Sequence, residues 1–290
     1  MSIEISDLQK PCRRWAAVAV AVALSWSTSG ASAQPAEPIT QHTEATPKDE
    51  FQEDVTTLNA SLGGSLNTGN TEAWQLNTGA AFALVRGRHG LALLADFSYG
   101  RANIPDDDVD ELVSTVRNFR SKARYDFFLT PMDALFAAAG YRWDTFAGLD
   151  TRFQLQPGYM RIFYRAPDHR FWGELGYDFT YDNYHPDPLP DPDDMGEFLD
   201  GDEVVHSARG FLGYDNKLNA ALTFLTGLEA LVNVEDTGDL RLSWDNALRS
   251  SIGGNFQFEA KFTIQYDMEP VPGAEKLDTL TTLTIIYTLI

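Results

Sequence analysis

The sequence predicts an all-β fold: a transmembrane antiparallel up-and-down β-barrel of about twelve strands, preceded by a signal peptide. Three observations carry that expectation. Apolar and polar residues alternate with period two through most of the chain. The connections between the alternating runs switch between short turns and longer acidic loops, and the N-terminus has the layout of an export signal.

Residues 1–33 read as the signal peptide. Lys10, Arg13 and Arg14 precede the apolar run "WAAVAVAVALSW" from Trp15 to Trp26. Ala31 and Ala33 then stand in the spacing that signal peptidase reads, so cleavage is expected before Gln34. The run falls short of the roughly 20 residues a membrane helix needs. The single cysteine, Cys12, lies before the run, so the exported chain is expected to carry no thiol. Residues 34–53 hold prolines and charges without periodicity and read as a flexible periplasmic leader, leaving 54–290 for the barrel.

Alternation starts at Leu58. Leu58, Ala60, Leu62, Gly64 and Leu66 share one face, and Asn59, Ser61, Gly63 and Ser65 the other. After the turn signal "TGN", Trp74, Leu76, Thr78, Ala80, Phe82 and Leu84 oppose Gln75, Asn77, Gly79 and Ala81, which makes a hairpin with the first strand. The same cycle predicts strands near 58–67, 72–85, 91–101, 112–128, 134–146, 152–164, 170–183, 203–214, 220–233, 240–251, 256–267 and 279–290. In the clearest of them, Phe119, Ser121, Ala123, Tyr125 and Phe127 oppose Arg120, Lys122, Arg124 and Asp126. Such runs are longer than the five or six residues typical of soluble strands.

Odd-numbered connections, such as "IPDDDVDE" and "HPDPLPDPDDMGEFLDGD", are mostly longer and acidic, whereas even ones, such as "RGRHG" and "RAPDH", stay short. A soluble sandwich would scatter its long loops over both ends. The asymmetry fits a barrel with short periplasmic turns and longer outer loops, and closure gives every backbone amide the partner that hydrocarbon demands. The apolar face then meets lipid, with Tyr99, Tyr141, Trp143, Tyr177, Tyr181, Trp244 and Tyr266 as interfacial girdle residues near strand ends. In the last strand Leu283, Ile285, Tyr287 and Leu289 face lipid, and the strand pairs with the first. Tyr287 and Leu289 are the candidate assembly signal, with Ile290 one residue beyond it.

The polar face supplies the candidate lumen residues Arg120, Lys122, Arg124, Arg142, Asp144, Glu174, Asp178, Arg209, Arg241, Asp245, Arg249, Glu259 and Lys261. Such a mixture either fills the interior with ion pairs or lines a narrow aqueous path. Eight strands hold only side chains and sixteen leave a channel, so twelve is compatible with either. Inward Gly63, Gly79 and Gly158 are expected to leave space there.

The chain has 42 acidic and 22 basic residues, which argues against nucleic acid as a partner. No enzyme and no cofactor are expected. A Ser–His pair on a strand needs a spacing of two, and His206 and Ser207 are adjacent, so they point to opposite sides. His42 lies in the leader, His89 and His169 in turns and His185 in the long loop. Asp187, Asp191, Asp193, Asp194, Asp200 and Asp202 crowd the seventh connection. A carboxylate protease or a calcium site would draw on them, but their spacing matches no defined calcium loop, and a solvated loop with weak cation affinity is the expectation.

Four ordered segments, "GGSLNTGNTEAWQLNTG", "NFRSKARYDFFLT", "YRWDTFAGLDTRFQLQPGYMRIF" and "YDMEPVPGAEKLDTLTTLTIIYTLI", together resemble the YdiY-like salt-induced outer membrane proteins, classed as domain of unknown function 481. The resemblance runs from about residue 56 to 290 and implies an outer-membrane β-barrel with no established substrate. Such barrels usually finish on an aromatic residue, from which this ending departs. The expected function is a narrow channel or envelope component for small polar or charged solutes, linked to salt or envelope stress. Its expected partners are lipid, the outer-membrane assembly machinery and periplasmic chaperones. The alternatives are a structural or adhesive surface protein using its acidic outer loops, and an outer-membrane hydrolase.

Overall fold

The computed structural model describes residues 54–67, 73–103, 112–145, 149–184, 201–268 and 276–290. The expected signal peptide and leader lie outside these, as do Asp187, Asp191, Asp193, Asp194 and Asp200 of the acidic loop.

The strands are β1 (Val55–Asn67), β2 (Ala73–Arg86), β3 (His89–Asn103), β4 (Leu112–Thr130), β5 (Asp133–Asp144) and β6 (Leu149–Arg165). They continue with β7 (His169–Tyr184), β8 (Asp202–Lys217), β9 (Leu222–Asn233), β10 (Leu240–Gly253), β11 (Phe256–Asp267) and β12 (Leu277–Thr288). Each pairs antiparallel with its chain neighbours, and β1 pairs with β12 to close the barrel. Most strands run beyond the alternating segments. β2 and β3 stay paired to Arg86↔His89, for example, because backbone bonding continues where the hydrophobic pattern stops. The connections at one end are accordingly tighter than the sequence suggests. Gly87 (φ 54°) and Gly254 (φ 57°) adopt left-handed conformations that permit two-residue turns. Below, this is the turn end and the other the loop end.

Leu62, Leu93, Leu135, Leu155, Leu175, Leu212, Leu248, Phe258, Phe262 and Ile285 are exposed on the outer wall. Water does not tolerate a continuous apolar surface of this extent on a monomer, so the wall is the lipid-facing side of a membrane barrel. Rings collect toward both ends. Trp74 and Tyr99 (5.5 Å) and Phe119 and Trp143 (6.4 Å) lie toward the loop end; Phe256 and Tyr287 (4.8 Å) lie toward the turn end. Tyr177 is a correction: it sits in the middle of β7, away from either strand end, and is hydrogen-bonded to His206.

The closing seam is the shortest. Its register runs from Asn59↔Thr288 to Gly63↔Thr284, whereas β1 stays paired with β2 up to Asn67↔Ala73 and β12 with β11 up to Tyr266↔Leu277. Beyond Thr288, Leu289 N donates to Leu58 O (2.8 Å) and Leu58 N to Ile290 O (3.1 Å). Ile290 is therefore part of the closure and not a surplus residue.

Tyr287 and Leu289 are both exposed on the outer wall. Replacing both with Asp places two charges on the lipid face, each costing less than the roughly 2–4 kcal/mol of a basic residue at the bilayer midplane, and removes the apolar groups of the last strand. The double variant should lose the heat-modifiable folded band on gels; a normal band would contradict this register.

Candidate functional site in the barrel interior

The inward phase near the turn end is apolar. Phe128, Ala134, Phe136, Met160, Ile162, Trp172 and Phe211 form a buried cluster inside β4–β8, an apolar filling beside the charged residues of the lumen. Three rings lie across a glycine of a neighbouring strand: Phe136 over Gly158, Trp172 over Gly213 and Phe211 over Gly227. The space expected at inward glycines is thus already taken. At Gly79 the Asp96 carboxylate and Ser61 Oγ occupy it, and at Gly63 the backbone oxygen of Leu283 stands 2.7 Å from where a Cβ would sit. Small inward residues here mark close approach, not open volume.

A chain of buried charges lies on the loop side of this cluster. Arg124 pairs with Asp126 (2.8 Å) and Glu174 (2.9 Å), and Arg209 pairs with Glu174 (2.8 Å) and Glu229 (2.6 Å); none of these side chains is more than 2% exposed. Lys122, also buried on β4, brings the group to charge balance. The Arg124 guanidinium sits 4.1 Å from the Phe136 ring centroid, an arrangement that desolvation strengthens. The Arg124–Glu174 pair joins β4 to β7, so it crosses the lumen and does not lie along the wall.

Around it, Asp178 accepts from Gln156 (2.6 Å) and Thr180 (2.7 Å), Arg152 binds Asp182, and Arg142 binds Asp144 (2.9 Å). Near the turn end Arg170 pairs with Asp215 (2.7 Å) and stacks on Trp172 (4.1 Å), a contact that alternation alone did not single out.

The opposite side is packed differently. Arg120 pairs with Asp96 of β3 (3.2 Å), Arg249 with Glu259 (2.5 Å) and Lys261 with Asp245 (3.4 Å), each between adjacent strands. Arg241 meets Asp239 (3.4 Å) and Asp267 (3.8 Å) at the loop end of β10. No pair on this side reaches across the lumen as Arg124–Glu174 does. Accordingly, the Arg120 and Asp96 side chains are 38% and 28% exposed, and Arg249 35%. Inward Ser61, Asn77, Ser98, Gln257, Thr282 and Thr284 are half-buried, while Gln154, Gln156 and Thr180 opposite are buried. The interior is divided into a packed half, inside β5–β9 and β4 from Lys122 toward its turn end, and a looser wall along β1–β3, Arg120 of β4, β12 and the turn ends of β10 and β11.

Ser207 is buried inward and His206 points outward to Tyr177. Among the described residues no group of three His, Cys, Asp or Glu is placed to hold a metal ion. Asp202, which is described, accepts from Tyr181 (2.9 Å) and Asn183 (2.5 Å).

A family model described as "Protein of unknown function, DUF481" matches residues 60–289. The chain belongs to that family. No curated protein matches it. Among solved structures it is similar to the NanC porin, with 10% identity, 80% of this chain and 100% of that one covered, and a TM-score of 0.48. It is also similar to an outer membrane channel from Pseudomonas putida F1, with 13% identity, 87% and 100% covered, and a TM-score of 0.47. The translocator domain of the autotransporter NalP from Neisseria meningitidis shows 12% identity, 81% and 87% covered, and a TM-score of 0.43.

Replacing Glu174 with Gln leaves Arg124 and Arg209 without their shared carboxylate and should destabilise the folded DUF481 barrel by about 3–5 kcal/mol. Arg120→Ala, in the solvated half, should cost about 0–1 kcal/mol. Denaturant midpoints in detergent, followed by heat-modifiability, separate the two; equal shifts would remove the distinction between the halves.

Proposed function

We propose that the protein is an outer-membrane β-barrel of a Gram-negative envelope that passes small polar or charged solutes along the looser wall of its lumen. The observation that carries this reading is the partial exposure of inward charges there, chiefly Arg120, Asp96 and Arg249, while the opposite half is packed shut. A path on one side only would be narrow and lined by both signs of charge, which suits small polar solutes over folded or apolar cargo.

In this reading the turn end is periplasmic. Residues 1–33 are removed on export and 34–53 remain as the periplasmic leader. Periplasmic chaperones deliver the chain, and the assembly machinery engages β12 through Tyr287 and Leu289. The acidic outer loops bind cations weakly. A link to salt or envelope stress rests on the family resemblance.

Purified protein in planar bilayers should give small conductance steps. Because local charge sets which ion is concentrated in a narrow path, the double variant Arg120→Glu with Arg249→Glu should shift the reversal potential in a salt gradient toward cation preference. Absence of steps at every salt concentration would overturn the channel reading.

A further inference from the structure

The shortness of the closing seam has a location. The ladder between β1 and β12 ends at Gly63↔Thr284; beyond it, Gly64–Asn67 and Leu277–Leu283 have no register with each other among the described residues, although each stays paired on its other side. The end of the ladder falls on a glycine pair. At Gly63 the β12 backbone approaches so closely that a Cβ would meet Leu283 O at 2.7 Å, and at Gly64 a Cβ would meet Gln75 O of β2 at 2.6 Å. β1 therefore leaves β12 where its own backbone is most permissive.

This gap lies within the apolar band. The unpaired part of β12 is flanked on β11 by Phe262, Ile264 and Tyr266, and β1 at this level is flanked on β2 by Leu76 and Trp74. Backbone groups left unpaired at such depth cost several kcal/mol unless water or another group meets them. Behind the gap is the looser half of the lumen, with Ser61, Asn77, Thr282 and Thr284 half-buried. Two inward positions of β12 break that polar lining: Ile286, registered with Ser61, and Leu280, which lies beside the gap opposite buried Thr263 and is 39% exposed.

We propose that the loop-side part of the β1–β12 seam is a lateral window through which a single-chain amphiphile enters the lumen from the adjoining half of the bilayer. Its hydrocarbon chain lies between Leu283 and Leu280. Its uncharged polar head meets the hydroxyls and amide of Ser61, Asn77, Thr282 and Thr284, because the nearby charges, Lys261 with Asp245 and Arg120 with Asp96, are already paired with each other. Hydrocarbon outside, the apolar Leu280 just inside the gap and a polar lumen behind it favour a lipid-like occupant over a partner's strand. The window does not depend on axial conduction, since a barrel without conductance steps could still admit a chain from the side.

The test uses the full chain with Cys12→Ser and two cysteine pairs. Leu62→Cys with Ile285→Cys joins registered neighbours; Leu66→Cys with Thr281→Cys joins positions that would face each other if the ladder continued. Both variants are first checked for the folded, heat-modifiable band. In native envelopes the first pair should oxidise readily and the second about ten-fold more slowly, as disulfide geometry tolerates only close backbones. A monoacylglycerol with a mid-chain diazirine, in vesicles, should label Leu280 and Thr282 as well as outward Leu283, and the inward labelling should vanish once a bifunctional thiol reagent ties residues 66 and 281. Equal oxidation of the two pairs would overturn the proposal, as would labelling confined to outward residues. Disulfide-linked dimers of the single variant Thr281→Cys would also overturn it, assigning the free edge to a second copy of the chain.

Discussion

Hydrocarbon cannot hydrogen-bond, and from that one constraint the rest of this structure follows. Each strand that crosses the membrane needs a partner on both sides, so the sheet must close. Once closed, its outer phase has to be apolar and its inner phase has to be filled or wetted. The β1–β12 seam is where closure is achieved, and it is held by a short register between Asn59↔Thr288 and Gly63↔Thr284 and by the backbone bonds of Leu58 with Leu289 and Ile290.

The interior meets its half of the constraint in two ways. Inside β4–β9 the filling is three-dimensional: rings of Phe136, Trp172 and Phe211 lie over glycines, and Arg124 reaches across from β4 to Glu174 on β7. Buried ion pairs contribute little net stability once desolvation is counted, but removing one partner is costly. The effect of Arg124–Glu174 is to fix β4 against β7 across the lumen, while the aromatic cluster supplies the packing. On the other side, Arg120–Asp96, Arg249–Glu259 and Lys261–Asp245 connect only neighbours. Arg120–Asp96 and Arg249 stay partly open to solvent, while Lys261–Asp245 is largely buried.

Strand number, order and phase were legible in the sequence because lipid on one side and water or ion pairs on the other impose a strict period of two. The inward direction of Arg124, Glu174 and Arg209 could be read from that phase, but their partners could not, since period specifies a face and not a chord across the lumen. The turn-end cluster escaped for a related reason. At Phe127–Phe128 and Phe171–Trp172 both phases are large and apolar, so alternation is silent about which ring points inward. The expected space at Gly158 had the wrong sign: Phe136 of the adjacent strand stands against it, as Trp172 does against Gly213, and a glycine facing an aromatic on the adjacent strand marks filled space. Strand ends were the least legible, as with β12 and Ile290, because backbone pairing continues past the hydrophobic pattern.

The division of the lumen is tested most directly by comparing two inward hydroxyl positions, Ser98 on the looser wall and Thr180 in the packed half. Each is replaced by Cys in a chain with Cys12→Ser and exposed, folded, to a small water-soluble methanethiosulfonate reagent. A lumen divided as described requires rapid modification of Cys at position 98 and protection at position 180 until the barrel is unfolded. Equal protection of both would mean a lumen packed throughout, and equal modification of both an open one; either result would contradict the division.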